Sequence, residues 1–196
     1  SAEDLKKLEK TLASQREMTP ARMLQVALAG EYKGAKVELT PEVKKLIAEW
    51  TTLKDVPVPE EIHAQLRPYQ ERGYAWMYHN MRLGFGSILA DDMGLGKTLQ
   101  VITFLQKLKD EKLFNKKHAL VVAPTGLLAN WQAELQRFGH SLSVFLYHGG
   151  KRDLKDFSHD ILLTSYGLVR SDADQLKKQK WQVVVIDEAQ NIKNND

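Results

Sequence analysis

Hydrophobic and polar residues alternate with two different periods along the chain. Leu5, Leu8 and Leu12 recur among lysines and glutamates, which predicts an amphipathic helix over about residues 3–16. Thr19-Pro20 supplies a cap and a first-turn proline ahead of Met23, Leu24, Val26, Ala27 and Leu28, and Gly30 follows as a stop. Thr40-Pro41-Glu42 repeats the start signal, and Val43, Leu46, Ile47, Trp50 and Leu53 form one stripe. Three short helices are therefore expected before Asp55, their stripes serving most simply as core faces. Val56-Pro57-Val58-Pro59 cannot be helical and is read as an extended linker over residues 56–61.

Beyond the linker the pattern changes. Pro68 stands at a helix start, with Tyr69, Gly73, Trp76 and Met77 on one side. Ile88-Leu89-Ala90 reads as a short strand, followed by a glycine turn and a helical stripe of Leu99, Val101, Ile102, Leu105 and Leu108. Lys107, Lys109, Lys112, Lys116 and Lys117 read as a charged, solvent-facing turn. Residues 119–123 (ALVVA) form a continuous apolar run, as a buried parallel strand requires. Leu127, Leu128, Trp131, Leu135 and Phe138 then return to helical spacing, and strands are expected over residues 142–146, 160–164 and 182–186. Strands alternating with helices predict an α/β fold, a parallel sheet with helices on both faces. The domain reading is a helical leader over residues 1–55, the linker, and one α/β domain over residues 62–196.

Composition narrows the class without choosing a function. A chain of 196 residues with 43% hydrophobic and 27% charged residues can bury an ordinary globular core. No apolar run approaches the ~20 residues of a membrane span, and the charged start does not resemble a secretory signal. Zero cysteines exclude disulfides and cysteine-based zinc sites. The six histidines are scattered, and a net charge of +3 is compatible with nucleic acid without pointing to it.

Candidate chemistry concentrates where strands end. In Gly94-Leu95-Gly96-Lys97-Thr98 the glycines let backbone N–H groups turn inward, and the following helix adds its positive end. Lys97 would reach the β- and γ-phosphates, and Thr98 would be one ligand of a phosphate-bound Mg²⁺. Asp91 stands where the strict template has its first glycine. The partner such a loop needs follows the apolar residues 182–186: Asp187 is placed to hold Mg²⁺, and Glu188 to polarise the attacking water. Ligands of such sheets sit beyond the carboxyl ends of the strands, where Pro124-Thr125 and Thr164-Ser165 also fall. Taken together these features read as a P-loop NTPase core that uses ATP and Mg²⁺.

Asp91-Asp92-Met93-Gly94-Leu95-Gly96-Lys97-Thr98-Leu99-Gln100 resembles motif I of the Swi/Snf-type DNA translocases of helicase superfamily two, including the aspartate that departs from the generic template. Leu66-Arg67-Pro68-Tyr69-Gln70 is similar to the family's opening segment, residues 123–125 through Asn130-Trp131 to motif Ia, residues 163–166 to motif Ib, and Asp187 through Asn194 to motif II in its bacterial form. The likeness covers about residues 62–196, with the motifs in family order. It implies a first RecA-like lobe and an ATPase that tracks along duplex DNA. By resemblance, Gln70 with Arg67 would read adenine, and Met93 through Thr98 would hold the phosphates. Lys97, Glu188 and Gln190 would act in hydrolysis, and Thr125, Asn130, Thr164 and Ser165 would lie near DNA phosphates. Gln190 stands where RNA helicases typically carry Asp.

The likeness stops just after motif II, so the expectation is a lobe cut short of its next strand and lacking a second, arginine-bearing lobe. Such a chain is expected to bind Mg·ATP weakly, to hydrolyse negligible ATP alone, and to associate through open strand edges. The implied place is the bacterial cytoplasm, at the nucleoid. Alternatives are an RNA helicase, the motor of a restriction system, or a non-hydrolysing nucleotide-binding scaffold.

Overall fold

The computed structural model describes residues 55–92, 94–150 and 152–192, together with scattered positions between 26 and 48. The first expected helix, the apolar positions of the second other than Val26, the whole apolar stripe of the third (Val43, Leu46, Ile47, Trp50 and Leu53), and Met93 lie outside the described residues. The chain divides into two compact units, Ser1–Lys54 with Trp76–Ile88, and Asp55–Ala75 with Leu89–Asp196.

In the first unit, Val26 and Ala29 are helical and the Gly30 amide donates to the Val26 carbonyl at 3.1 Å. An antiparallel pair that the sequence did not announce follows, β1 (Glu31–Tyr32) with β2 (Ala35–Lys36). Four residues of strand lie below the length at which alternation can be read, so no periodicity signals them. Pro41, Lys44, Lys45 and Ala48 are helical, and the Lys44 amide donates to the Thr40 carbonyl at 3.0 Å, as the Thr-Pro-Glu signal predicts.

The second unit carries the sheet. Helix α1 (Pro68–Arg82), of which residues 68–75 belong to this unit, starts at its proline, and α2 (Lys97–Asp110) follows the glycine turn. Strand β3 (His118–Ala123) leads through a 3₁₀ turn (Thr125–Leu127) into α3 (Leu128–Phe138). Then come β4 (Val144–Leu146), β5 (Ile161–Ser165), α4 (Tyr166–Ser171), α5 (Ala173–Leu176) and β6 (Trp181–Ile186). The four strands are parallel in the order β4-β5-β3-β6, and Val121 pairs with both Leu163 and Val185. Parallel order puts every carboxyl end at one edge, so Thr125, Tyr166 and Asp187 emerge side by side.

Both faces of the sheet are covered at β3 and β5. Leu120, Val122, Leu162, Tyr147, Leu154 and Leu176 form one buried cluster, with Leu168, Val169 and Trp181 packed against it. The alternate positions Ala119, Val121, Ile161 and Leu163 are fully buried too, as are Ile102, Leu105 and Leu108 of α2. The continuous apolar runs in β3 and β5 are thus explained by burial on both sides. Tyr74, fully buried in α1, donates its hydroxyl to the Pro57 carbonyl at 3.0 Å and ties the extended stretch to the helix.

Two expectations are corrected here. Residues 87–90 are not a strand, and Ile88 is 85% exposed. An apolar run becomes a strand only when a neighbour takes its backbone hydrogen bonds. Among the described residues the sheet ends at β6, whose Val184 and Ile186 are about half exposed. The lysine stretch is not one solvent-facing turn either. Lys107 and Lys109 belong to α2, and Lys109 donates to Asp160 Oδ2 at 2.8 Å and to the Ser141 carbonyl. Among the described residues no helix is long and apolar enough to cross a membrane.

Candidate nucleotide site and the acidic strand end

The loop before α2 is built by its glycines. Gly94 has φ +81° and Gly96 has φ +69°, the left-handed region where a side chain is strained. A Cβ on Gly96 would also stand 2.4 Å from Gln70 Nε2. Gly96 is the N-cap of α2 and provides no side-chain cap, so the first turn keeps donors for an anion. Lys97 folds back over the loop, its ammonium 2.6 Å from the Asp91 carbonyl and 2.9 Å from the Asp92 carbonyl. Two neutral carbonyls hold a charge that a triphosphate would hold more strongly.

Gln70 is buried beside this loop. Its Oε1 accepts the Arg67 amide at 2.9 Å, an N3 residue reaching back to the residue before the helix, as in half a capping box. Its Nε2 donates to the Leu95 carbonyl at 3.2 Å, and the Tyr69 hydroxyl donates to the same carbonyl at 3.1 Å. Both ends of the Gln70 amide are therefore engaged, and α1 grips the loop through two side chains. Tyr69 was missed by sequence reasoning, since a tyrosine at the start of an amphipathic helix gives no sign of reaching a loop 26 residues away.

The acidic pair is held as tightly. The Asp187 amide donates to the Val122 carbonyl at 2.8 Å, extending the β3–β6 ladder by one residue. Asp187 Oδ2 accepts the Trp131 indole N–H at 2.7 Å, and Oδ1 accepts the Glu188 amide at 3.0 Å. The Tyr166 hydroxyl donates to the Asp187 carbonyl. Burial first, then the charges of Asp187 and Glu188, push the Tyr166 hydroxyl above its ordinary pKa, so it stays a donor. Glu188 has φ +51°, uncommon for a residue with a side chain, and Gln190 Nε2 donates to its Oε2. Thr98 and Asp187 offer one hydroxyl and one carboxylate, too few for a protein-only cage. As a donor set they would fit an ion such as Mg²⁺, which keeps waters and takes substrate phosphates.

The four residues assigned to nucleic acid divide. Thr125 and Asn130 are exposed at the carboxyl edge, and Asn130 Nδ2 donates to Glu134 Oε1 at 3.1 Å. Thr164 is fully buried and its hydroxyl donates to the Tyr147 carbonyl at 3.0 Å, so in this state it faces the core rather than a ligand. Ser165, 4% exposed, stands at the turn into α4. In a strand buried on both faces a threonine near the carboxyl end still satisfies its hydroxyl internally, and sequence gives no warning of it.

Known proteins share this sequence pattern and fold. The model of the SNF2-related domain matches residues 69–196. YwqA of Bacillus subtilis (strain 168), named as a candidate ATP-dependent helicase/translocase, is 40% identical over 172 residues, covering 83% of this chain and 18% of YwqA. Helicase SWR1 of Saccharomyces cerevisiae is 39% identical over 161 residues, 76% of this chain and 10% of that protein. The Sulfolobus solfataricus SWI2/SNF2 ATPase core in complex with dsDNA superposes with a TM-score of 0.66 at 43% identity, covering 72% of this chain and 29% of that one. The chain thus spans less than a third of each of these relatives. The chain belongs to the SNF2 family, and its four-stranded parallel sheet with flanking helices forms a RecA-like lobe of the Swi/Snf type.

Proposed function

We propose that this chain is the ATP-binding lobe of a duplex-DNA-dependent ATPase that tracks along DNA. The observation that carries this reading is the shared carboxyl edge of β3, β5 and β6, where exposed Thr125, in the turn after β3, and exposed Asn130, in α3, follow the strand that neighbours the one ending in Asp187-Glu188. The dsDNA in the Sulfolobus solfataricus relative supports the choice of partner. Residues 93–98 take the phosphates, with Lys97 exchanging its two carbonyls for β- and γ-phosphate oxygens. Gln70 and Arg67 take the adenine side, through an amide that must release Leu95 to do so. Thr98 and Asp187 hold Mg²⁺, which neutralises charge developing on the transferred phosphoryl group. Glu188 polarises the attacking water and Gln190 orients Glu188. Thr125, Asn130 and the turn at Ser165 meet the DNA backbone, contacts that grip without reading sequence.

In such a motor a second RecA-like lobe completes the site with cationic groups, so residues 1–196 by themselves bind Mg·ATP weakly and turn it over negligibly. Among the described residues β6 is an edge strand, which supports its pairing with a further strand, in a second copy when nothing else is offered. The bacterial relative supports a place in the bacterial cytoplasm, with the nucleoid as the source of DNA.

The test is ATP hydrolysis by the longest natural chain that carries this sequence, with duplex DNA, single-stranded DNA or RNA, and with Glu188→Gln as control. Stimulation chiefly by duplex DNA, lost at least ~100-fold in Glu188→Gln, is expected from the loss of a positioned base. Stimulation chiefly by RNA, or unchanged turnover in the variant, would overturn the assignment.

A further inference from the structure

Each of the two elements assigned to DNA is adjacent in sequence to a side chain that holds Asp187. Asn130 precedes Trp131, whose indole N–H meets Asp187 Oδ2 at 2.7 Å. Ser165 precedes Tyr166, whose hydroxyl meets the Asp187 carbonyl. From these pairings we infer that Trp131 and Tyr166 are positioning residues that transmit DNA contact at α3 and α4 to the Mg²⁺-binding carboxylate. The inference rests on the function proposed above.

The physical case begins with the indole. An N–H of Trp is a donor only, and Trp131 is 3% exposed, so its direction is fixed by packing and by this bond. With Oδ1 taken by the Glu188 amide at 3.0 Å, both carboxylate oxygens are oriented before any cation arrives. A carboxylate offers about four lone-pair directions, so two remain for the ion or its water. Groups that orient a metal ligand from behind set both affinity and geometry, and their loss typically costs 10–100-fold.

The second part concerns movement. Trp131 lies in the first turn of α3, which continues directly from the 3₁₀ turn holding exposed Thr125. A phosphate gripped at Thr125 or Asn130 shifts that turn, and the rigid indole carries the shift to Oδ2. Tyr166, the first residue of α4, acts in parallel on the backbone at Asp187. It thereby bears on Glu188, the next residue, held at φ +51°. DNA binding is in this way coupled to the two acids without any side chain that touches both DNA and ATP.

The experiment uses the longest natural chain carrying this sequence and two variants, Trp131→Phe and Tyr166→Phe. Phe at 131 keeps an aromatic ring in the packed site and removes the donor; Phe at 166 removes one oxygen. The first readout is binding: Mg²⁺ is titrated into the protein with saturating ADP, followed by tryptophan fluorescence and calorimetry. The expected result is a Mg²⁺ affinity about 10-fold weaker in Trp131→Phe, with loss of the part of the fluorescence change that Trp131 reports. The second readout is the ratio of ATP turnover with and without duplex DNA, together with the DNA concentration for half stimulation. The ratio is expected to fall about 10-fold in each variant while the half-stimulating DNA concentration stays within a factor of two or so.

Mg²⁺ affinity equal to wild type in a folded Trp131→Phe, or an unchanged stimulation ratio in Tyr166→Phe, would overturn the inference. Should Trp131→Phe fail to fold, Tyr166→Phe alone decides it through that ratio. Wild-type protein that binds Mg·ADP but responds to no nucleic acid would instead remove the proposed function, and with it the transmission of DNA contact. The Mg²⁺ titration would still decide whether Trp131 orients Asp187.

Discussion

Asp160→Asn tests how much a single partly buried carboxylate contributes to the sheet. Asp160 precedes β5, and its Oδ2 accepts from Lys109 Nζ, the Ser143 amide and the Ser143 hydroxyl, each at 2.8 Å. Its own amide donates to Ser143 Oγ at 2.8 Å and its carbonyl accepts the Ala119 amide at 2.8 Å, so α2, β3, β4 and β5 meet there. Asparagine keeps an acceptor oxygen but loses the charge. A hydrogen bond to a charged group is worth ~1.5–3 kcal/mol against ~1 for a neutral one. The Lys109 side chain is 34% exposed, so solvent screens the pair and the expected loss lies low, ~1–2 kcal/mol.

With a urea slope of ~2 kcal/mol/M, the midpoint at pH 7 should fall by ~0.5–1 M. Burial alone would raise the Asp160 carboxyl, but the hydrogen bonds from Lys109 and Ser143, with the lysine charge, outweigh it and hold the pKa below its ordinary value. Because the folded pKa is depressed, this stability is present above the unfolded value of ~3.9 and is lost as pH falls through the folded one. Wild type and variant should therefore converge as the pH drops from ~5 into that range. The assay is urea unfolding by tryptophan fluorescence between pH 7 and pH 3. Curves that coincide at pH 7, or stay separated by the same amount at every pH, would refute the reasoning.

Gly96→Ala should cut Mg·ATP affinity at least ~10-fold by calorimetry, since alanine is strained at φ +69° and its methyl meets Gln70; wild-type affinity would show that the loop bends otherwise. Burial and then Asp172 push the Tyr147 hydroxyl up to about 12. A raised folded pKa makes its contribution complete below the unfolded value of ~10 and lost as pH rises toward the folded one. Tyr147→Phe should therefore be less stable than wild type at pH 8 and lose less stability between pH 9 and pH 11 in urea unfolding; parallel alkaline profiles would count against it.

Local order along the chain was legible because it depends on neighbours a few residues apart. Pro68 and the glycine turn set the starts of α1 and α2, and the unbroken apolar runs marked β3, β5 and β6 as parallel strands. The residue types of the nucleotide site were equally legible, because phosphate chemistry constrains them in one short stretch and in one acidic pair. Tertiary structure decided what those residues meet. Ile88-Leu89-Ala90 has the composition of a strand and remains irregular, because a ladder needs a partner and among the described residues β6 ends the sheet. Thr164 has the right position for a ligand and the wrong surroundings, its hydroxyl closed on the Tyr147 carbonyl. Lys109 looked like a surface charge and is bound to Asp160, 51 residues away. Trp131 had the spacing of a core residue and is one, yet its single polar atom finds Asp187, 56 residues on. Periodicity fixes which face of an element is buried, whereas a long-range hydrogen bond depends on where two elements end in space, and only the packed sheet determines that.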